Sequence, residues 1–356
     1  RAPLRIEAAR QIAARRDRGP DWWKGLDDLT FYGFSEYLRC LFLESETAVA
    51  ILTAPPPDEN GVHYLTNDEL AGTRELIDRL AGTGRLLNHT VIHPNVPGEL
   101  DAMERYRDAL KPVGWKVYTM GLMASVGVER TSQWSEGTEW MLDDEQFGIP
   151  FLERARELNV RNICSHKGLS GEVDNGSPRD IGPCAKAFPD LNFIVYHSGF
   201  EGNAADEGPY TDETAHEGIN RLITTARDNG IEPGRNIYAE LGTTWFCLIK
   251  RPIEAAHVLG KLLLAFGEDN VIWGTDSVWY GPTQPMIDAF KAFTIPQFLR
   301  EQYGYPELTS KIKAKILGLN ASKVYGIDPI EAQHRAARDD LAWTAQALRE
   351  YRQSGR

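Results

Sequence analysis

Seven short apolar runs punctuate this chain, most of them followed by a stretch with apolar residues at helical spacing, and the order never reverses into hairpins. Repeated βα units on a parallel sheet are what such alternation specifies. The runs are 47–53 (TAVAILT), 85–92 (RLLNHTVI), 113–120 (VGWKVYTM), 160–166, 191–197, 236–241 (NIYAEL) and 270–276. Helical spacing recurs over 68–80, 145–158, 217–229, 252–266 and 310–324. Pro/Gly-rich connectors such as 54–61, 168–178 and 199–208 mostly follow strands, the side on which such folds carry function. The expected fold is therefore α/β, a (βα)₈ TIM barrel. An open doubly wound sheet is the alternative, but no glycine-rich phosphate turn follows the early strands.

Seven strands leave an eight-stranded barrel one short. The segment before Thr47 reads as helix, both over 8–16 and over 34–43, so the first strand is expected upstream of Arg1. With 356 residues, 42% of them hydrophobic, and no break in composition, residues 1–328 read as one barrel domain. Residues 329–356 form a charged, Ala-rich helical extension that packs outside the barrel or against another subunit, making a homo-oligomer one expectation. A net charge of −12 without a basic stripe excludes a nucleic-acid binder. No apolar run has the ~18 residues of a membrane span. The four cysteines, Cys40, Cys164, Cys184 and Cys247, lack CxxC spacing, so the default setting is reducing and cytoplasmic.

Three strands end in residues that bind metals: Asn162-Ile163-Cys164-Ser165-His166, Phe193-Ile194-Val195-Tyr196-His197 and Val271-Ile272-Trp273-Gly274-Thr275-Asp276. A strand that stays apolar until a final His or Asp presents that residue at the carboxyl end of the sheet. Counting by twos, His166 shares its face with Cys164, His197 with Val195, and Asp276 with Gly274 and Ile272, while Tyr196 faces the helices. Lys116 and Glu240 are charges inside apolar runs, and each needs a partner, a metal or an exposed strand end. Imidazole plus carboxylate without paired thiolates points to a catalytic metal site with an open position.

The chain resembles the amidohydrolase superfamily, in its amidohydrolase-2 (amidohydrolase-related) branch, through His166 to Leu169 (HKGL), Val195 to Phe200 (VYHSGF), Trp273 to Gly281 (WGTDSVWYG) and Leu317 to Gly326 (LGLNASKVYG). The resemblance implies a distorted TIM barrel holding one or two divalent metal ions, Zn first, with Fe or Mn as alternatives. His166 then corresponds to the strand-five ligand and His197 to the strand-six ligand. Asp276 becomes the strand-eight residue that touches the metal and takes the proton from the attacking water. Lys116 falls where a carboxylated lysine can bridge a binuclear metal centre, its alternative being a salt-bridged or snorkelling lysine. The family's strand-one His-x-His occurs nowhere in the chain, and His63, His89 and His93 have the wrong spacing to replace it. Its absence agrees with a first strand lying upstream.

The function these residues imply is that of a metal-dependent hydrolase attacking an amide, ester, lactone or thioester of a bulky hydrophobic small molecule, with Asp276 and His197 as catalytic residues. Glu240, Trp245, Trp279, Tyr280 and His93 are candidate substrate contacts. Tyr118, Trp134, Trp140 and Phe246 add to an aromatic crowd that either forms an apolar pocket or packs loops onto the rim. A decarboxylase or hydratase of an aromatic or unsaturated acid is the alternative, and Arg130, Lys167 and Arg179 are the cations that would clamp its carboxylate. A non-catalytic barrel scaffold is the third reading.

Overall fold

The computed structural model describes residues 33–125, 134–168, 174–202 and 207–354, without the side chains of Val278 and Trp279. The expected helix over 8–16 and Arg130 lie outside the described residues. All seven runs contain strand: β1 (Ala50–Leu52), β2 (Leu86–Asn88), β3 (Thr90–Val91), β4 (Trp115–Tyr118), β5 (Asn162–His166), β6 (Asn192–Tyr196), β7 (Ile237–Glu240) and β8 (Val271–Ile272). β2 and β3 are halves of one run divided at His89, whose N–H bonds the Leu52 carbonyl at 2.9 Å. Every pairing is parallel, β1 with β2 and then β3 through β8 in chain order. Helices cover the outer face, as parallel strands require.

Residue type sorts onto the two faces. Trp115, Val117, Phe193, Val195, Ala239 and Val271 join the core beneath the helices. Lys116, Cys164, Ile194, Tyr196, Glu240 and Ile272 turn inward, where Tyr196 lies over Lys116 and Cys164 meets His89. Tyr196 thus faces the barrel, not the helices, and Val195 lies opposite to the face expected for it. The reason is local: the chain leaves extended geometry at His197, with φ of 62°, so counting by twos fails across that residue.

Capping defines several helices. Thr66 and Glu69 form a reciprocal capping box at the start of α2 (Asn67–Ala81), and Gly82 closes it with φ of 71°. The expected helix over 34–43 is α1 (Phe34–Leu38) running into a π-turn, Arg39–Leu43. A second π-turn, Lys315–Leu319, interrupts the expected helix over 310–324. It has a use. Asn320 N–H bonds Lys315 O, which frees the Ile316 carbonyl to accept from Trp273 N–H at 3.0 Å. Asn320 Nδ2 holds the Val271 carbonyl at 2.8 Å, so the LGLNASKVYG run pins β8.

Among the described residues no strand pairs with the outer edges of β1 and β8. Between them lies a cavity of about 660 Å³ lined largely by apolar side chains, among them Ile51, Ile194, Ile272 and Leu317. The C-terminal extension forms two helices, Pro329–Ala336 and Asp340–Gln353, against the outside of the barrel. Asp339 anchors them. Its carboxylate caps the last helix through Ala342 N–H and pairs at 2.7 Å with Arg85, both side chains almost fully buried. Arg85 in turn donates to the carbonyls of Thr47 and Ala48, ahead of β1.

Candidate active site

His166 and His197 meet at the carboxyl end of the sheet. His166 is the last residue of β5, in register with Tyr118, whose ring stacks on the imidazole at 5.1 Å between centroids. His197 follows β6 in a backbone turn that includes Ser198, also at positive φ. The segment after β7 wraps this turn: Glu240 Oε2 accepts from His197 N–H, Ser198 Oγ donates to Glu240 O, and Thr244 Oγ1 donates to His197 O. His197 Nδ1 lies 2.6 Å from the Gly242 carbonyl, which accepts only if Nδ1 carries the proton. Nε2 then keeps its lone pair, and it lies 3.1 Å from His166 Nδ1. Burial is the main force lowering both imidazole pKa values, which favours the neutral rings.

Asp276 completes the group. Its φ of 48° turns it back after β8, and Oδ2 sits 3.7 Å from His197 Nδ1 while accepting from the Thr243 hydroxyl. His197, Ser198, Thr243 and Asp276 make four of the six non-glycine residues at positive φ among the described residues. Backbone strain is concentrated at this one place, as it is at functional sites.

Glu240 acts on the scaffold of the site. Its two oxygens accept from His197 N–H at 3.0 Å and Gly242 N–H at 2.7 Å, so it holds the turn at the edge of the cavity. Burial, with Asp276 adding to it, raises its pKa, and the two backbone donors oppose that shift. A Cβ at Gly274 would land on Glu240 Oε1, which is why the WGTD run has glycine there. Lys116 lies one layer deeper, in register with Cys164, its ammonium 3.2 Å from the Tyr196 ring centroid and 5.0 Å from that of Tyr118. Burial lowers its pKa. His89, another inward residue, lies 3.4 Å from both Cys164 Sγ and the Tyr325 hydroxyl.

The remaining candidates scatter. Trp245 is core: its indole donates to Met286 O at 3.0 Å and its ring meets Phe290 edge-on. Tyr280 stacks on Phe246 and turns its hydroxyl to Thr243, so it supports Asp276. The Trp279 side chain lies outside the described residues. His93 follows β3, buried, with neither ring nitrogen hydrogen-bonded among the described residues, and burial pulls its pKa down to about 3. Lys167 and Arg179 are engaged elsewhere, with Asp180 and Asp174 respectively. Thr243 and Gly242 carry no signal of residue type, since a loop Gly-Thr is ordinary; only the fold shows what they hold.

The model of the amidohydrolase family matches residues 64–327, well over half of the chain. The chain belongs to the amidohydrolase family. Among solved structures, this amidohydrolase is similar to the uncharacterized TIM-barrel protein Bb4693 of Bordetella bronchiseptica, at 14% identity and a TM-score of 0.52, over 94% of this chain and 91% of that one. That likeness supports the barrel fold. A match to amidohydrolase 2 from Bifidobacterium longum subsp. infantis has 14% identity and a TM-score of 0.33, over 75% of this chain and 89% of that one. The comparison with curated proteins gave no match. No helix among the described residues is long and apolar enough to cross a membrane.

Amidohydrolases usually use metal ions, and the residues of this one supply part of a site. Two imidazole nitrogens 3.1 Å apart have the spacing of neighbouring ligands on one ion at about 2.0–2.1 Å from each. Among the described residues, however, no three His, Cys, Asp or Glu side chains converge as a ligand set. The histidine pair fits a metal; Asp276, turned to Thr243, and Lys116, beneath Tyr196, stand apart from it as arranged.

Proposed function

We propose that this amidohydrolase is a metal-dependent hydrolase that cleaves a carbonyl substrate, an amide, ester, lactone or thioester of a bulky hydrophobic small molecule. The observation that carries the reading is the 3.1 Å approach of His197 Nε2 and His166 Nδ1 beside Asp276 at the carboxyl end of a parallel barrel. His166 and His197 would hold a divalent ion, zinc before iron or manganese, with Asp276 and Lys116 as further candidates for one or two ions. Such an ion supplies Lewis acidity and lowers the pKa of water. Asp276 accepts the proton of the attacking water and returns it to the leaving group. Gly242 fixes the His197 tautomer through its carbonyl, and Tyr118 and Trp134 wall His166 with aromatic surface suited to an apolar substrate.

The carboxylate clamp of a decarboxylase finds no support in Lys167 and Arg179, since both are paired with aspartates. The test is elemental analysis of the purified protein, with assays of ester, thioester and amide hydrolysis against carbon dioxide release from matching acids. Bound metal, hydrolysis lost on chelation, and a fall of at least about 100-fold in Asp276→Asn are expected. Full activity in Asp276→Asn refutes its role; a metal-free protein indifferent to chelator refutes both enzyme readings in favour of a scaffold.

A further inference from the structure

Asp276 does not stand free. Its Oδ2 accepts from the Thr243 hydroxyl, and Thr243 Oγ1 also lies 3.2 Å from the Tyr280 hydroxyl. A threonine hydroxyl carries one proton. It has two acceptors in reach, the Asp276 carboxylate and the Tyr280 oxygen, so the three groups meet at the Thr243 hydroxyl. Each link is built in. Thr243 is 3% exposed and holds a φ of 59°, a conformation costly for a β-branched residue, at the start of the helix Thr244–Leu248. Tyr280 is fixed by stacking on Phe246 at 4.1 Å between centroids. Asp276 is itself at positive φ, so its carboxylate is aimed by backbone and by hydroxyl together. Among the described residues only Oδ2 has a hydrogen-bond donor; Oδ1 has none.

We propose that Thr243 and Tyr280 are positioning residues for Asp276: the Thr243 hydroxyl, held beside the Tyr280 oxygen, ties down Oδ2 and leaves Oδ1 as the oxygen that exchanges protons with the reacting water and leaving group. This rests on the hydrolase reading for its chemistry, though the placement of the carboxylate stands apart from it. Strain at Thr243 then has a purpose. The left-handed turn brings the hydroxyl of β7's loop across to the end of β8, which an extended threonine at that position would not do.

Three variants test it: Thr243→Val, which keeps the shape and removes the hydroxyl; Thr243→Ser, which restores it; and Tyr280→Phe. With p-nitrophenyl butyrate as probe, Thr243→Val is expected to lower kcat about 10- to 100-fold with KM within about twofold of the parent. Zinc content and unfolding temperature should match the parent. Thr243→Ser should return to within about threefold of parental kcat, and Tyr280→Phe should fall in the same direction by less. Parental kcat in Thr243→Val, or a Thr243→Ser as slow as Thr243→Val, overturns the proposal. A crystal structure of Thr243→Val tests the placement without turnover: the Asp276 carboxylate is expected to swing from its place, and an unmoved carboxylate overturns the positioning role. Should the parent fail to cleave any ester, thioester or amide, the hydrolase reading falls while this structural arm still decides the other.

Discussion

At the scale of the residue, the site depends on conformations that residue type barely announces. His166 was legible because β5 is extended to its last position, so alternation carries it inward. His197 was legible as a strand-end histidine but not in its orientation, because its positive φ breaks the count by twos and hands the inward face to Tyr196. Thr243 was not legible at all. Gly274 is the clearest case of a small residue held by a distant one, since Glu240 Oε1 occupies the place of its side chain. Gly274→Ala must push that carboxylate off the His197 and Gly242 N–H groups. The expected cost is about 2–4 kcal/mol in urea unfolding, with weaker metal binding. A variant with the parental midpoint would show that Glu240 has other room.

Among elements, the periodic helices and all seven strand runs were readable, because apolar spacing reports burial directly. The π-turn at Lys315–Leu319 was not, because its cause is long-range: it frees a carbonyl for Trp273. The loop after β5 is held in a comparable way. Lys167, fully buried, donates to Thr119 Oγ1 at 2.9 Å, Asn175 O at 3.2 Å and Asp180 Oδ2 at 2.7 Å, and the same carboxylate accepts from Leu142 N–H. One ammonium thereby ties the ends of β4 and β5 to two connectors, on either side of His166. Lys167→Met should cost about 3–5 kcal/mol by stranding Asp180, whereas Lys167→Met with Asp180→Leu should recover most of that. Equal losses in single and double variants would mean that packing, not the stranded charge, governs the site.

For the whole molecule, the decisive feature is that the outer strands of the described sheet, β1 and β8, are braced from outside. Residues 316–320 hold β8, while Asp339, through Arg85, holds the start of β1. Between these anchors runs an exposed stretch with Arg335 and Arg338 on the surface. Among the described residues, β8 and β1 are thus tied together by a strap that proteases can reach. A single tryptic cut there should leave the fragments associated, yet let β1 and β2 open as a unit well below the free energy of global unfolding. In hydrogen–deuterium exchange, amides of β1 and β2 should then lose protection while β5 and β6, each paired on both sides, keep theirs. Uniform protection across the sheet after cutting would show that the strap bears no strain. If the expected pattern holds, the histidine pair sits on the half of the barrel that stays shut, and a nick at the far side would loosen the molecule before it touched the chemistry.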